Sequence, residues 1–256
     1  MRGFKLIFGL LRELSESLPP EKNRNSSIWV RRVIRPVSFV ASLPFLALRI
    51  MPDTISYVAL ITAAAGLGIF ILNALWGSVI LNLWLVLDCV DGNIARYRRI
   101  QTVYGDFIDS LSSLLLSCGL VPGLGLYLIL HKQYLFSVEI TALISIFLCI
   151  LTGFVRVSYQ KFFAVSLEHG ITPGPRISKA GVTEVAKRNL IWLANRAEKN
   201  LGISGFIMPS LVVGSILDFL GELWLALIVI TGTMSILGFA LILAKVKRHN
   251  KLVQQC

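Results

Sequence analysis

Apolar stretches of about 20 residues, long enough to cross a bilayer, can be placed six times along the chain, at roughly 54–73, 77–95, 107–130, 135–155, 204–221 and 223–244. Acidic positions are shared unevenly among them: only the second and third spans carry several. Ahead of the first span, Phe4, Leu6, Ile7, Leu10, Leu11 and Leu14 recur at helical spacing, which predicts an amphipathic helix lying in the membrane interface. Arg12, Glu13 and Glu16 follow that apolar run with no small-residue cleavage site, so it does not read as a secretory signal. Pro19-Pro20 end it, and a second basic amphipathic stretch, Ile28 to Ile50, leads into the first span. The one substantial polar connection is 165–203. Its Pro/Gly-rich start, His169 to Arg176, predicts a loop. The rest, with Lys187, Arg188, Trp192, Arg196 and Lys199, predicts a helix on the membrane surface.

The expected fold class is therefore all-α: a polytopic membrane protein with six transmembrane helices and an N-terminal interfacial amphipathic helix. A mean hydropathy of +0.74 over 256 residues agrees with one membrane domain rather than a soluble core. Charge then orients the spans. Twenty-four of the 25 Lys and Arg residues fall on one side of a six-span arrangement, leaving only Lys132 on the other. The positive-inside bias makes the crowded side cytoplasmic, with both termini there. The chain divides into a cytoplasmic interfacial segment, 1–52, and a six-helix membrane domain, 53–256. The net charge of +11 reads as a face toward anionic lipid headgroups, so membrane lipids are expected partners and nucleic acid is not. Cys89, Cys118, Cys149 and Cys256 show no metal-ligand or disulfide spacing and read as small apolar residues. His131, His169 and His249 are scattered, which argues against a histidine metal site.

The acidic positions change the picture most. Asp88 and Asp91 are three apart, so on a helix they share a face; Asp106 and Asp109 repeat that spacing one hairpin later. Ionised Asp in a membrane span is expensive and usually marks a functional site with a partner. Two such faces brought together make an oxygen-only pocket suited to a hard divalent cation, Mg²⁺ or Mn²⁺. Gly92 and Gly105 lack a Cβ, so backbone or nucleotide can approach closely there. Ala95, one turn beyond Asp91, serves the same close packing. Arg96, at the end of the second span, can reach a phosphate with a forked pair of donors. Ordinary small-residue helix packing explains the glycines taken singly.

Together, Asp88-x-x-Asp91-Gly92-x-x-Ala95-Arg96, eight residues, then Gly105-x-x-x-Asp109 resembles the signature of the CDP-alcohol phosphatidyltransferase family. The resemblance is strongest over residues 53–113 and includes the Pro52-Asp53-Thr54-Ile55-Ser56 start of the first span, which helix capping explains equally well. It implies six membrane helices with cytoplasmic termini. It also implies a Mg²⁺- or Mn²⁺-dependent displacement of CMP from a CDP-linked alcohol by the hydroxyl of an acceptor alcohol. In that frame Asp88, Asp91 and Asp109 ligate the metal, and Gly92, Ala95, Arg96 and Gly105 contact substrate. The reading places the protein in a bacterial or archaeal cell membrane with a cytoplasmic active site. A homodimer is left open, as is the identity of the acceptor.

The pattern departs at its last position. The family's final Asp, its proposed general base, should stand four residues after Asp109, where this chain has Ser113. Serine is a poor base at neutral pH and a weak ligand beside a carboxylate. Asp106, on the same helical stripe, is the candidate replacement as base and metal ligand, with Asp109 beside it at the reacting end; alternatively Asp106 is a first-turn carboxylate favoured by the helix dipole. Arg156, and Lys161 after it, either bind the acceptor's phosphate at the cytoplasmic opening or anchor the fourth span. The 165–203 connection covers the site, binds the acceptor or merely connects. Two rival functions stay open: a family member that binds metal and donor without turnover, and a cation-coupled transporter.

Overall fold

The computed structural model describes residues 2–24, 26–100, 102–133, 136–168 and 203–253. Beyond Glu168, the expected surface connection at 165–203 lies outside the described residues, Arg176 and Lys187 included. Every regular element among the described residues is helical. Helices α1 (Arg2–Glu16) and α2 (Pro20–Arg24) are followed by a π-helical stretch, Val30–Ile34, that runs straight into α3 (Arg35–Ala47). Then come α4 (Pro52–Leu72), α5 (Ala74–Arg98), α6 (Val103–Leu130) and α7 (Val138–Glu168). A second π-helical stretch, Ile203–Ile207, leads to α8 (Met208–Leu217), and α9 (Leu220–Val253) completes the order.

Five helices are long and apolar enough to cross a membrane: α4, α5, α6, the Val138–Ser158 part of α7 and the Leu220–Ala240 part of α9. The chain is thus an all-α, multi-pass membrane protein. The expected fifth span, 204–221, is instead a shorter apolar helix over Gly205–Leu217. Asp218 stops it in a left-handed conformation (φ 58, ψ 38), and α9 begins at Leu220. A hydropathy window cannot see that break, because apolar Leu217 and Phe219 flank it on both sides.

Local chemistry sets the other boundaries. Asn73 ends α4 and caps α5 at once, its Oδ1 accepting from Trp76 N at 3.1 Å, so the two helices form a hairpin with a one-residue turn. Beside that turn, a Cβ on Gly77 would fall on the backbone of Phe70; the helices touch main chain to main chain there. At the other end of α5, Arg99 adopts φ 56, ψ 35 and returns its N–H to Ala95 and Arg96 carbonyls. Thr102 then caps α6. Phe70, Leu81, Leu116, Leu124, Leu128 and Trp224 form the buried interior, while Ile61, Leu143, Ile150, Val229 and Ile236 point outward as lipid-facing side chains do.

The N-terminal elements are helical as expected, and they also pack inward. Helix α3 lies against α5 with a polar face: Ser38 and Ser42 are fully buried, and Asn93 of α5 donates Nδ2 to Ser38 Oγ at 3.0 Å. Leu14 of α1 is fully buried as well, and Tyr97 Oη of α5 donates to Glu13 Oε2 at 3.3 Å.

Candidate active site

Because α5 runs unbroken to Arg98, the whole stretch from Asp88 to Arg96 is helical, and Asp88 and Asp91 share one face. The Thr102 cap starts α6 early enough to place Asp106 in its first turn and Asp109 in its second. All four carboxylates line a single cavity of about 350 Å³. Within it Asp88 and Asp109, one from each helix, stand close enough for their charges to interact. Asp91 Oδ2 accepts from Ser56 Oγ of α4 at 2.6 Å, so the start of α4 orients the second carboxylate.

The glycines have local reasons. The Arg96 guanidinium lies over Gly92, where an added Cβ would come within 3.1 Å of Nη1. At Gly105 a Cβ would meet Asp53 Oδ1 at 2.9 Å and Thr102 Oγ1 at 3.1 Å. Its absence lets Thr102 Oγ1 accept from Gly105 N at 2.9 Å while donating to Asp53 Oδ1 at 2.7 Å. The first turns of α4 and α6 are joined by that bond.

Cations line the same cavity: Lys22, Arg35 and Arg96. Arg96 Nη2 donates to Asn93 Oδ1 at 2.8 Å, and Asn93 in turn reaches Ser38 on α3. Arg35 is only 7% exposed; its Nη2 donates to Ser26 Oγ at 2.6 Å and to the Lys22 carbonyl at 3.4 Å. Burial holds the Arg35 guanidinium below its usual pKa, yet an arginine remains charged in a protein.

Of the residues singled out by sequence, Asp88, Asp91, Gly92, Ala95, Arg96, Gly105, Asp106 and Asp109 all line the cavity. Arg156 and Ser113 do not: Arg156 Nη1 donates to Ser113 Oγ at 3.1 Å, on the facing sides of α7 and α6. Sequence reasoning missed Lys22, Ser26 and Arg35, since nothing distinguishes these from the other polar residues ahead of the first span.

A family model for CDP-alcohol phosphatidyltransferases matches residues 49–183, just over half of the 256-residue chain. The chain belongs to this family. No curated protein matches it. CDP-alcohol phosphatidyltransferases are generally divalent-metal dependent. Among the described residues no three His, Cys, Asp or Glu side chains converge closely enough to hold an ion as they stand. The donor set nevertheless fits a hard cation. It is oxygen-only, and the charges of Asp88 and Asp109 repel across the cavity, which a cation between them would relieve. The family match begins at Arg49, whereas Lys22, Ser26 and Arg35 of the cavity precede it.

Proposed function

We propose that this CDP-alcohol phosphatidyltransferase transfers a substituted phosphate from a CDP-linked alcohol to an acceptor alcohol and releases CMP, in phospholipid or related glycolipid synthesis. One observation carries the reading: every motif residue from Asp88 to Asp109 lines one cavity, in which Lys22 and Arg35 join the motif's Arg96. Carboxylates for a metal and guanidinium groups for phosphate are the two sets that a pyrophosphate donor requires.

Asp88, Asp91 and Asp109 are the residues that would hold Mg²⁺ or Mn²⁺. When bound, the cation neutralises charge on the donor's phosphates as the P–O bond to CMP breaks. Ser56 keeps Asp91 oriented toward that role. Arg96, fixed by Asn93, binds a phosphate oxygen of the donor. Asp106, exposed at the cavity edge, accepts the acceptor's hydroxyl proton as its oxygen bonds to phosphorus, and passes it to solvent. CMP departs with the electrons of the broken bond. The distribution of basic residues supports a cytoplasmic mouth for this cavity.

The test is CMP release from CDP-linked alcohols by the purified full chain, with and without divalent cation. Asp88→Asn and Asp91→Asn should each abolish cation-dependent binding of CDP. Tight, cation-independent binding that neither change affects would remove the proposed site. One observation favours a second reading, a pocket that binds without turnover: Ser113 stands where the motif's last carboxylate is expected, so the motif brings only three carboxylates to the cavity. Cation-dependent CDP binding with no CMP release under any acceptor would select that reading.

A further inference from the structure

Arg35 stands outside the matched family region, yet it is among the most buried charges described. Its Nε is buried and has no hydrogen-bond partner among the described residues, and the same holds for Arg96 Nε. Neither guanidinium has a carboxylate within ion-pair distance among those residues. Both side chains line the same cavity. Holding like charges in one sheltered cavity is costly unless opposite charge joins them, and none of the cavity's carboxylates pairs directly with either guanidinium among the described residues. Lys22, also on the cavity wall, adds a third positive charge.

The fold holds this arrangement in place through a continuous chain of hydrogen bonds. Ser26 Oγ accepts from Arg35 Nη2, Ser38 Oγ donates to the Arg35 carbonyl at 2.9 Å, and Asn93 links Ser38 to Arg96. Helix α3 is thereby registered against α5 so that Arg35 and Arg96 face one cavity. A planar guanidinium with free donors recognises tetrahedral oxyanions through paired N–H groups, which a lone lysine cannot reproduce.

We propose that Arg35 and Arg96 together form a seat for a phosphate group, with one wall supplied by the N-terminal segment ahead of the family-matched region. The seat deepens the phosphotransfer reading and draws on it only for the source of the phosphate. That source is either the donor's pyrophosphate or a phosphate carried by the acceptor alcohol. The stretch that carries Lys22, Ser26 and Arg35 is then part of the substrate site and not only a membrane-surface segment.

The experiment measures binding of orthophosphate, and of CDP with Mg²⁺, to the full chain in lipid nanodiscs by calorimetry. Losing a charge-assisted pair of hydrogen bonds should weaken the affected ligand at least about tenfold in Arg35→Gln. Loss of orthophosphate binding with CDP unchanged assigns the seat to a phosphorylated acceptor; a parallel loss of CDP binding, or a loss of CDP binding alone, assigns it to the donor. Arg35→Gln that binds both ligands as tightly as the parent overturns the proposal. Should that variant not fold, Ser26→Ala carries the test, because it removes only the hydroxyl that holds Arg35 Nη2. It should weaken the same ligand several-fold, and unchanged affinities would again overturn the seat. Arg35-dependent orthophosphate binding in a protein that never releases CMP would discard the catalytic reading and keep the seat.

Discussion

Arg156 of α7 donates its Nη1 hydrogen to Ser113 Oγ of α6 across 3.1 Å, outside the carboxylate cavity. The position at which related motifs carry their last aspartate is thus faced by a guanidinium. Ser113→Asp would place a carboxylate beside Arg156, and a partly buried pair of this kind contributes about 1 kcal/mol at most. We expect the variant to fold, to melt no lower than the parent in detergent, and to release CMP at the parental rate or faster. Ser113→Asp combined with Arg156→Gln should melt lower than either single change, because the new carboxylate loses its partner. Equal melting of the double and single variants would show that the two residues do not interact.

Asp106 is exposed in the first turn of α6, so replacing it tests chemistry with little structural cost. A general base contributes typically about 10²–10⁴-fold, and Asp106→Asn should lower CMP release by that order while CDP binding stays within a few-fold. Steady-state kinetics beside direct binding separates the two. Parental turnover in Asp106→Asn would leave only the helix-dipole explanation for this carboxylate.

Gly105→Ala should be destabilising through one contact. Its methyl would press on Asp53 Oδ1 and Thr102 Oγ1, which are tied to each other at 2.7 Å. Overpacking of this sort costs about 1–3 kcal/mol. A lower melting temperature should come with weaker CDP binding, since the first turns of α4 and α6 both line the cavity. Gly105→Ala in an Asp53→Ala background should recover part of the loss, and no recovery would locate the clash elsewhere.

Membrane orientation is testable at helix ends. Cysteines placed at Trp76, Lys132 and Glu222 should be labelled from outside intact cells, and one at Arg98 should not. In the structure Trp76 and Arg98 occupy opposite ends of α5, so they must give opposite answers. External labelling at Arg98 without labelling at Lys132 would put the cavity mouth on the far side from a cytoplasmic donor.

The motif half of the site was legible because its information is local. Asp88, Asp91 and Arg96 lie on one helix, and Gly105, Asp106 and Asp109 on the next, so spacing alone brings them together once the helices pair. Arg35 was not legible. Its place on the cavity wall comes from packing of α3 on α5 through Ser38 and Asn93, a contact between residues 55 apart in sequence that periodicity does not register. The contact of Arg156 was hidden for a related reason. Its place at the end of a span resembled that of Arg96, but which way α7 turns its side chain depends on Ser113 across the helix interface. The shortened α8 was hidden because a left-handed residue ends a helix without changing its hydropathy.

Gly77 sets a fulcrum. The main chains of α4 and α5 meet there, and Ser56 and Asp91 meet near the opposite ends of the same two rods. From position 77 to Asp91 the lever arm is about 21 Å, at about 1.5 Å of rise per residue. A side chain wedged at the pivot that opened the rods by about 5° would carry Asp91 roughly 2 Å from Ser56 along such an arm. That displacement is most of a hydrogen bond's length. A methyl group near the far membrane face would therefore act on the carboxylates without touching them, and aperture at one surface would be geared to alignment at the other.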